Sequence, residues 1–198
     1  MAEKKSVKNR IVTAAWELFR KNGYETTTVD EIIELSGTSK GSFYYYFSGK
    51  DAMLYALSTV LDQEYEKLRD EMDPEMDSFD KLIHLNARMH AVVEETVTVD
   101  LMASLYSTQL TAREGCSLLD QNRSYYRLVG DIVDEGQRRG QIIKSFPIRD
   151  IVWYYAMCEH ALIYEWCLSR GEYSLAQQSK LFMPMMFAKF REEQIVST

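Results

Sequence analysis

The sequence has few of the residues that interrupt helices or cross-link chains. It contains three prolines and three cysteines in 198 residues. Because proline ends or kinks a helix, so few of them leave long segments free to be helical. Cys116, Cys158 and Cys167 are odd in number and fit no metal or redox spacing. This pattern favours reduced thiols in a cytoplasmic protein over a disulfide framework.

Long apolar runs are absent as well. No stretch reaches the roughly 18 residues that a membrane-spanning helix needs. The first ten residues, MAEKKSVKNR, lack the apolar core of a secretory signal peptide. These absences predict a cytoplasmic protein without a membrane partner.

The motifs that usually mark enzymes and metal sites are missing too. No glycine-rich phosphate loop, nucleophile elbow or carboxylate pair in a catalytic context occurs. His84, His90 and His160 do not have metal-ligand spacing, and no cysteine joins them at such a spacing. We therefore expect no catalytic residue, no cofactor and no metal. Turnover of a bound ligand by the purified protein would revive the enzyme alternative.

The charge is divided unevenly along the chain. The formal net charge is −7, which alone argues against a nucleic-acid-binding protein. Residues 1–50, however, hold 8 of the 23 Lys and Arg and 6 of the 30 Asp and Glu, so they carry +2 and the remainder carries −9. A mildly basic head on an acidic body is compatible with DNA binding, but it indicates little without a motif.

Apolar residues recur at helical spacing, and no stretch alternates in the manner of a strand. The sequence predicts an all-α fold with a helix-turn-helix domain over 1–49 and a helical bundle for ligand sensing and dimerisation over 50–198. The predicted helices cover 6–22, 28–37, 40–47, 50–71, 78–95, 98–111, 117–139, 148–169 and 174–191, with breaks at 73–74, 113–115, 140–147 and 171 and a bend at Pro184.

The segment GTSKGSFYYYFSGKDAM over 37–53 is the most informative part of the chain. Thr28 and Glu31 form a capping-box pattern for the helix before it, Gly37 ends that helix, and Ser39 can cap the next one. Phe43 lies on the core side of this short helix together with Phe47. The residues left facing outward are Lys40, Ser42, Tyr44, Tyr45 and Tyr46. A helix that offers hydroxyl and lysine groups over an apolar back face is typical of DNA recognition.

At these residues the chain resembles the TetR (tetracycline repressor) family of bacterial transcriptional regulators. The resemblance runs over 7–57 and includes IVTAAWELFRKNGYETTTVDEII, the turn and recognition helix, and KDAML. Ile33, Ser36 and Thr38 depart from the family pattern at the junction of the second and third helices. The remaining 140 or so residues resemble the family only in architecture.

The resemblance implies which residues contact DNA. Phosphate or base contacts are implied for Thr27, Thr28, Lys40, Ser42, Tyr44, Tyr45, Tyr46 and Lys50. The alternative is that the tyrosines pack the small three-helix core and that Lys40 and Ser42 belong to a solvated face.

The segment over 148–169 is apolar on nearly every side, which predicts burial on every side. One stripe holds Ile151, Tyr155, Cys158, Leu162 and Trp166, and a second holds Trp153, Met157, His160 and Tyr164. The resemblance implies a dimer built from the last two helices. We assign its interface to Ile151, Tyr155, Leu162, Trp166, Phe182 and Met186. Which face contacts the partner stays open, and a single buried helix in a monomer is the alternative.

The resemblance also implies an effector pocket in the body. Its candidate lining is Met89, Val93, Met102, Tyr106, Tyr126, Trp153, Met157, His160 and Tyr164. Methionine and aromatic side chains suit an adaptable apolar cavity, although each of them could equally be ordinary core. Glu94, Glu95, Glu159 and Glu165 could favour a cationic lipophile, with solvated helix faces as the alternative.

The resulting expectation is a homodimeric repressor that binds a palindromic double-stranded DNA operator and is released by a small hydrophobic effector. The alternative is a DNA-binding structural or interaction factor whose body binds a protein partner. An occupied closed cavity would favour the first, and a solid core with an exposed apolar patch would favour the second. Neither the effector nor the operator can be read from the sequence.

Overall fold

A computed structural model of the chain describes residues 6–111 and 117–192. Within those ranges the chain is helical apart from turns and one isolated β-bridge between Ile142 and Arg191. The predicted all-α fold is confirmed. The α-helices are α1 (Val7–Asn22), α2 (Val29–Ser36), α3 (Lys40–Tyr46), α4 (Asp51–Glu71), α5 (Ser78–Thr96), α6 (Val99–Thr111), α7 (Ser124–Arg139), α8 (Ile148–Leu168) and α9 (Leu175–Phe187).

The chain packs as two compact units that do not follow chain order. The first comprises residues 1–60 and 97–119, and the second comprises residues 61–96 and 120–198. Helix α4 therefore contributes to both units, and α6 belongs with α1, α2 and α3. The domain boundary predicted between residues 49 and 50 stays a prediction.

In the first unit, local sequence features begin and end the short helices. Gly23 ends α1 with φ of 88°, and its N–H donates to the Phe19 carbonyl. Thr28 and Glu31 form the predicted capping box at the start of α2, and Gly37 ends that helix in the left-handed conformation. Ser39 caps α3 by accepting from the Ser42 N–H. These caps give hydrogen-bond partners to backbone groups that the ends of such short helices would otherwise leave unpaired.

The core between α1, α2 and α3 is apolar. Ile11, Ala15 and Phe19 of α1 are buried together with Ile32 of α2 and Phe43 of α3. At the junction of α2 and α3 there is a polar contact, because the Ser36 and Thr38 hydroxyls lie 2.8 Å apart and Ser36 also donates to the Ile33 carbonyl. The three departures from the family pattern therefore contact one another.

The second unit is a bundle in which α5 packs against α7 and α9, and α8 packs against α7 and α9. Phe187 of α9 lies at the centre of its aromatic core. Its ring centroid lies 5.6 Å from those of Phe79 and Tyr155 and 4.8 Å from that of Phe190. All four rings are buried, so this cluster joins α5, α8 and the end of α9.

Two predicted helix boundaries are wrong. The segment over 117–139 is not one helix, because a 3₁₀ turn at Ser117–Leu119 is followed by a turn in which the Asp120 carboxylate accepts from the Asn122 N–H. Helix α9 ends at Phe187 instead of continuing to 191, because the backbone beyond it pairs with the 141–143 segment. The break predicted at 113–115 and Cys116 lie outside the described residues.

Candidate functional site

The outer face of α3 is the most exposed polar and aromatic surface of the head. Tyr45 has 81% of its surface accessible, and Tyr44 and Tyr46 are about half accessible. The Lys40 ammonium lies 3.5 Å from Asp30 Oδ1, with both side chains largely in solvent. A contact this long and exposed holds a lysine weakly. The ammonium and the three phenol hydroxyls are thus available for phosphates and base edges.

Behind this face, Phe43 and Phe47 are buried and their ring centroids lie 5.9 Å apart. The ring of Tyr44 meets Phe43 edge to face at 5.3 Å, so Tyr44 is both a partial packing residue and an exposed one. Ser42 shares a 2.9 Å hydrogen bond with Ser39 at the helix start. Packing of Phe43 and Phe47 therefore holds the short helix on its buried side, while its polar groups point away from the core.

Three other residues predicted to contact DNA already have roles in the fold. Thr27 is buried and its hydroxyl donates to the Gly23 carbonyl at 2.7 Å. Thr28 is exposed and caps α2. The Lys50 ammonium donates to the Tyr24 and Glu25 carbonyls at 2.7 and 3.1 Å and lies 4.3 Å from the centroid of the Tyr24 ring. Their phosphate contacts stay predictions, and Thr27 has almost no surface with which to make one.

The two stripes of α8 have the opposite placement to the one assigned from the sequence. The stripe assigned to the dimer interface, from Ile151 and Tyr155 to Leu162 and Trp166, is buried inside the protomer. Tyr155 donates its hydroxyl to the Leu82 carbonyl, and the Trp166 indole N–H donates to the Tyr173 carbonyl. Side chains so enclosed have little surface to offer a second subunit, although Leu162 lines the groove that also holds Phe182 and Met186. The interface role of these four residues stays a prediction.

The other stripe of α8 lies on the surface. Trp153, Met157 and Tyr164, all assigned to the effector pocket, are between 42% and 58% exposed. Their effector-binding role stays a prediction, although they lie on the surface of the protomer and not in its interior. The reason is helical geometry, since only one of two opposite apolar faces can pack against α5, α7 and α9.

Helix α9 adds to the same exposed apolar surface. Phe182 is exposed and Met186 is half-buried, and their interface role stays a prediction. Both line a groove of about 420 Å³ with residues of α8 and of the α8–α9 connection. The large exposed apolar residues of the two helices, which we call the α8–α9 stripe, are Trp153, Met157, Tyr164, Leu168, Leu181, Phe182 and Met185.

The remaining candidates for the effector pocket are buried or half-buried. Met89, Val93 and Tyr126 are buried within the second unit, where His160 is half-buried. Met102 is buried in α6 and Tyr106 is half-buried, and these two belong to the first unit. Their burial is compatible with a pocket lining and with ordinary core, so their binding role stays a prediction.

A buried carboxyl group at the centre of the second unit did not emerge as such from the sequence. Glu159 of α8 is buried and accepts hydrogen bonds from the Tyr65 hydroxyl, from the Tyr125 hydroxyl at 3.3 Å and from Asn86 Nδ2 at 3.5 Å. Burial raises the pKa of Glu159, although these donors and the positive charge of Arg123 oppose the rise. The group thus joins α4, α5, α7 and α8.

The other three glutamates that could favour a cationic effector have different environments. Glu94 is half-buried and accepts from the Leu175 and Ala176 N–H groups at the start of α9. Glu95 and Glu165 are exposed. Glu159 lies four residues after Tyr155 and three before Leu162, on the buried stripe, so helical spacing would identify its burial once the buried stripe of α8 is known.

The sequence predicts neither a metal site nor a membrane-spanning helix. Over residues 6–111 and 117–192, no three His, Cys, Asp or Glu side chains gather as metal ligands would. In the same residues, no helix has both the length and the hydropathy that crossing a bilayer requires. Cys158 and Cys167 are free thiols, and burial raises the pKa of each to about 11.

Residues 11–57 match the family model described as bacterial regulatory proteins, tetR family. The HTH-type transcriptional regulator QacR of Staphylococcus aureus is 37% identical over 62 residues, which are 31% of this chain and 33% of QacR. The match to this relative therefore spans about a third of its length. The fatty acid metabolism regulator protein of Bacillus subtilis is 21% identical over 150 residues, covering 75% of this chain and 77% of that protein.

The fold has counterparts among solved structures. The transcriptional regulator FadR of Bacillus subtilis in complex with stearoyl-CoA superposes with a TM-score of 0.70 at 19% identity, covering 91% of this chain and 98% of FadR. At this level of identity the likeness concerns the fold alone. The family model matches only residues 11–57, and the remaining helices are similar to FadR in fold.

Proposed function

Because this chain belongs to the TetR family of bacterial regulatory proteins, we propose that it is a ligand-responsive repressor. It binds a palindromic operator as a homodimer in the cytoplasm and is released by a small, largely apolar effector. The observation that carries the proposal is the outer face of α3. There Lys40, Tyr44, Tyr45 and Tyr46 point into solvent from a capped helix within the matched segment.

The chemistry of this face supports operator binding. A lysine and several phenols can contact phosphates, which fix register, while side chains at the start of a recognition helix reach base edges. The head as a whole carries only +2 in residues 1–50. We therefore expect contacts from α3, and not general electrostatic attraction, to supply most of the affinity.

The α8–α9 stripe supports a dimer. Seven large apolar side chains on two adjacent helices form a surface that a monomer would expose to water, and such patches usually mark interfaces. A two-fold axis through this stripe would give two copies of α3, which bind successive major grooves when they are about 34–36 Å apart. This agrees with a palindromic operator.

The effector is proposed to bind in the second unit. FadR, whose fold is similar, was solved in complex with stearoyl-CoA, and for this chain the resemblance supports an effector with a large apolar part. An effector releases DNA only if it binds the DNA-incompetent state more tightly than the DNA-bound one. Helix α4 belongs to both units, so it can couple effector binding to the heads.

The test is retention of sheared genomic DNA by the purified protein, followed by sequencing, at near-physiological salt so that nonspecific binding is suppressed. We expect a short palindromic motif near one or a few genes. No retention, or retention without a motif, would contradict the proposal.

A matched pair of variants then assigns the surface. Lys40→Ala in α3 should weaken operator binding and lower the slope of log affinity against log salt by about 1, as the loss of one phosphate contact does. Lys67→Ala is the control, because Lys67 is also an exposed lysine beside an acidic side chain but belongs to the body. Equal losses in the two variants would count against α3 as the DNA-binding helix.

A further inference from the structure

Three buried polar side chains lie in the second unit, and two of them have an atom without a hydrogen-bond partner among the described residues. We call Asn86 and His90 of α5 with Glu159 of α8 the acceptor cluster. All three are buried. Asn86 Oδ1 and His90 Nε2 have no hydrogen-bond partner in the described residues. Buried polar atoms are nearly always paired, so two unpaired ones a single helical turn apart point to a missing partner.

The hydrogen bonds of His90 determine what kind of partner is missing. Ser179 donates its one hydroxyl proton to the Leu175 carbonyl at 2.8 Å. In the tautomer that keeps this donation, the Ser179 oxygen accepts from His90 Nδ1, with which it is hydrogen-bonded. Nδ1 then carries the proton of a neutral imidazole, and Nε2 is an acceptor. Burial lowers the pKa of His90 to about 3, which keeps the ring neutral at physiological pH.

Asn86 has the same deficit of a donor, whereas Glu159 has donors but lacks a cation. Asn86 turns its Nδ2 towards the Glu159 carboxylate, which leaves Oδ1, an acceptor, without a donor. Glu159 has no ion pair among the described residues, because the nearby Arg123 guanidinium is paired with Asp62. Its nitrogens lie 2.8 to 3.2 Å from the Asp62 carboxylate oxygens. The cluster thus combines two unpaired acceptors with a carboxyl group that has no cation of its own.

The neighbouring residues of α5 are apolar. Met89 and Val93 are buried and share the core-facing side of this helix with Asn86 and His90, at spacings of three and four residues. A molecule that satisfies the acceptor cluster would therefore have a polar end that donates hydrogen bonds and an apolar remainder.

We propose that the acceptor cluster binds the hydrogen-bond-donating, positively charged head of an effector, such as a primary ammonium group on an apolar chain. This inference rests on the proposed function, because it names the class of effector that the second unit accepts. An ammonium has three N–H donors, which can pair with Asn86 Oδ1, His90 Nε2 and the Glu159 carboxylate, and its charge balances that carboxylate. An anionic head would instead meet the same carboxylate and acceptors without donors.

The test is calorimetric binding of octylammonium to the full-length protein, without DNA. Two analogues with the same chain separate the requirements: octyltrimethylammonium keeps the charge but has no N–H group, and octanoate reverses the charge. We expect octylammonium to bind at least tenfold more tightly than either analogue. Equal affinity for the three, tighter binding of octanoate, or no binding of octylammonium would overturn the proposal.

Two variants locate the site. Glu159→Gln preserves the size of the side chain and an acceptor but removes the charge, and we expect it to weaken octylammonium binding at least tenfold. Glu95→Gln makes the same charge change on the exposed side of α5 and should leave the affinity unchanged. Unchanged affinity in Glu159→Gln, with its helicity and melting temperature preserved, would overturn the assignment, as would equal losses in the two variants.

A crystal structure of the protein with octylammonium gives a third readout. Density for the nitrogen within hydrogen-bond distance of Asn86 Oδ1 and His90 Nε2 would support the proposal. An ordered water that keeps both bonds in the presence of octylammonium would overturn it. Because all these measurements omit DNA, failure to find an operator would contradict the proposed function and leave the binding result intact.

Discussion

Two glycines in helix α7 allow a prediction in which one substitution is the control for the other. A Cβ added at Gly136 would lie 2.6 and 2.7 Å from side-chain carbons of Ile142 and 2.9 Å from Cβ of Ser78. Ile142 and Ser78 have no exposed surface, so neither can swing into solvent. A Cβ added at Gly130 would meet only Val152 Cγ2, at 3.9 Å, which is an ordinary contact.

The magnitude follows from two opposing terms. Alanine in place of a helical glycine stabilises by about 0.5–1 kcal/mol at either position, because the unfolded chain loses conformational freedom. Overpacking against fixed neighbours costs about 1–3 kcal/mol at Gly136 alone. The helix term cancels between the variants, so Gly130→Ala should exceed Gly136→Ala by about 1–3 kcal/mol in the free energy of unfolding. At about 2–4 °C per kcal/mol for this size, the melting temperatures should differ by about 2–12 °C.

The assay is urea and thermal unfolding followed by helix circular dichroism, at one protein concentration because a dimer's stability depends on it. We expect Gly130→Ala to equal or exceed the parent and Gly136→Ala to fall below it. If the two variants unfold at the same urea concentration, or if Gly136→Ala is the more stable, the close packing of α7 against the 142 segment is refuted.

Three further predictions concern DNA binding, acid stability and assembly. Tyr45→Ala should weaken specific operator binding by about 1–3 kcal/mol in a fluorescence anisotropy titration while the melting temperature stays constant, since Tyr45 is mostly in solvent; an unchanged affinity would exclude it from the contact. Burial lowers the pKa of His90 from 6.5 to about 3, so its stabilisation is complete above pH 6.5 and is lost as the pH falls towards 3, by up to about 1.4 kcal/mol per pH unit. In His90→Gln this part of the pH dependence of the free energy of unfolding should vanish, as measured by urea unfolding between pH 7 and 4.5. Parallel curves of that free energy against pH for the two proteins would contradict it. Met157→Asp should convert the proposed dimer to a monomer in light scattering, because it places two charges in the proposed interface. The control Leu110→Asp should not, although Leu110 is more exposed, at 81% against 42% for Met157. If both variants stay dimeric, this part of the α8–α9 stripe is ruled out.

Much of the head could be predicted from the sequence because its helices are fixed by local rules. The capping box of Thr28 and Glu31, the glycine at 37 and the Ser39 cap each depend on residues three or four positions apart, and the structure has all of them. The exposed positions of α3 follow from Phe43 and Phe47, which set its buried side. What the sequence did not reveal is that Lys50 is held by two carbonyls of the turn before α2.

The body was less predictable because its orientation depends on contacts between distant helices. In α8 both faces are apolar, so hydrophobic periodicity could not decide which one packs inside. The interface assigned to Ile151 and Tyr155 fell on the stripe that is buried inside the protomer. Glu159 shows the same limit, because a glutamate is usually solvated. Its burial depends on donors from Tyr65, Asn86 and Tyr125, which are 94, 73 and 34 residues away.

The grouping of α6 with the head has a consequence for recombination. A DNA-binding segment copied from residues 1–50 would omit residues 97–119, which pack in the same compact unit. A groove of about 500 Å³ in that unit is lined by Gly23, Thr26 and neighbouring residues of the α1–α2 turn and by Asp100 and Ser104 of α6. Exchange of heads between relatives at this junction would therefore place a foreign α6 against the turn. Successful chimaeras should be those that carry both segments from one parent.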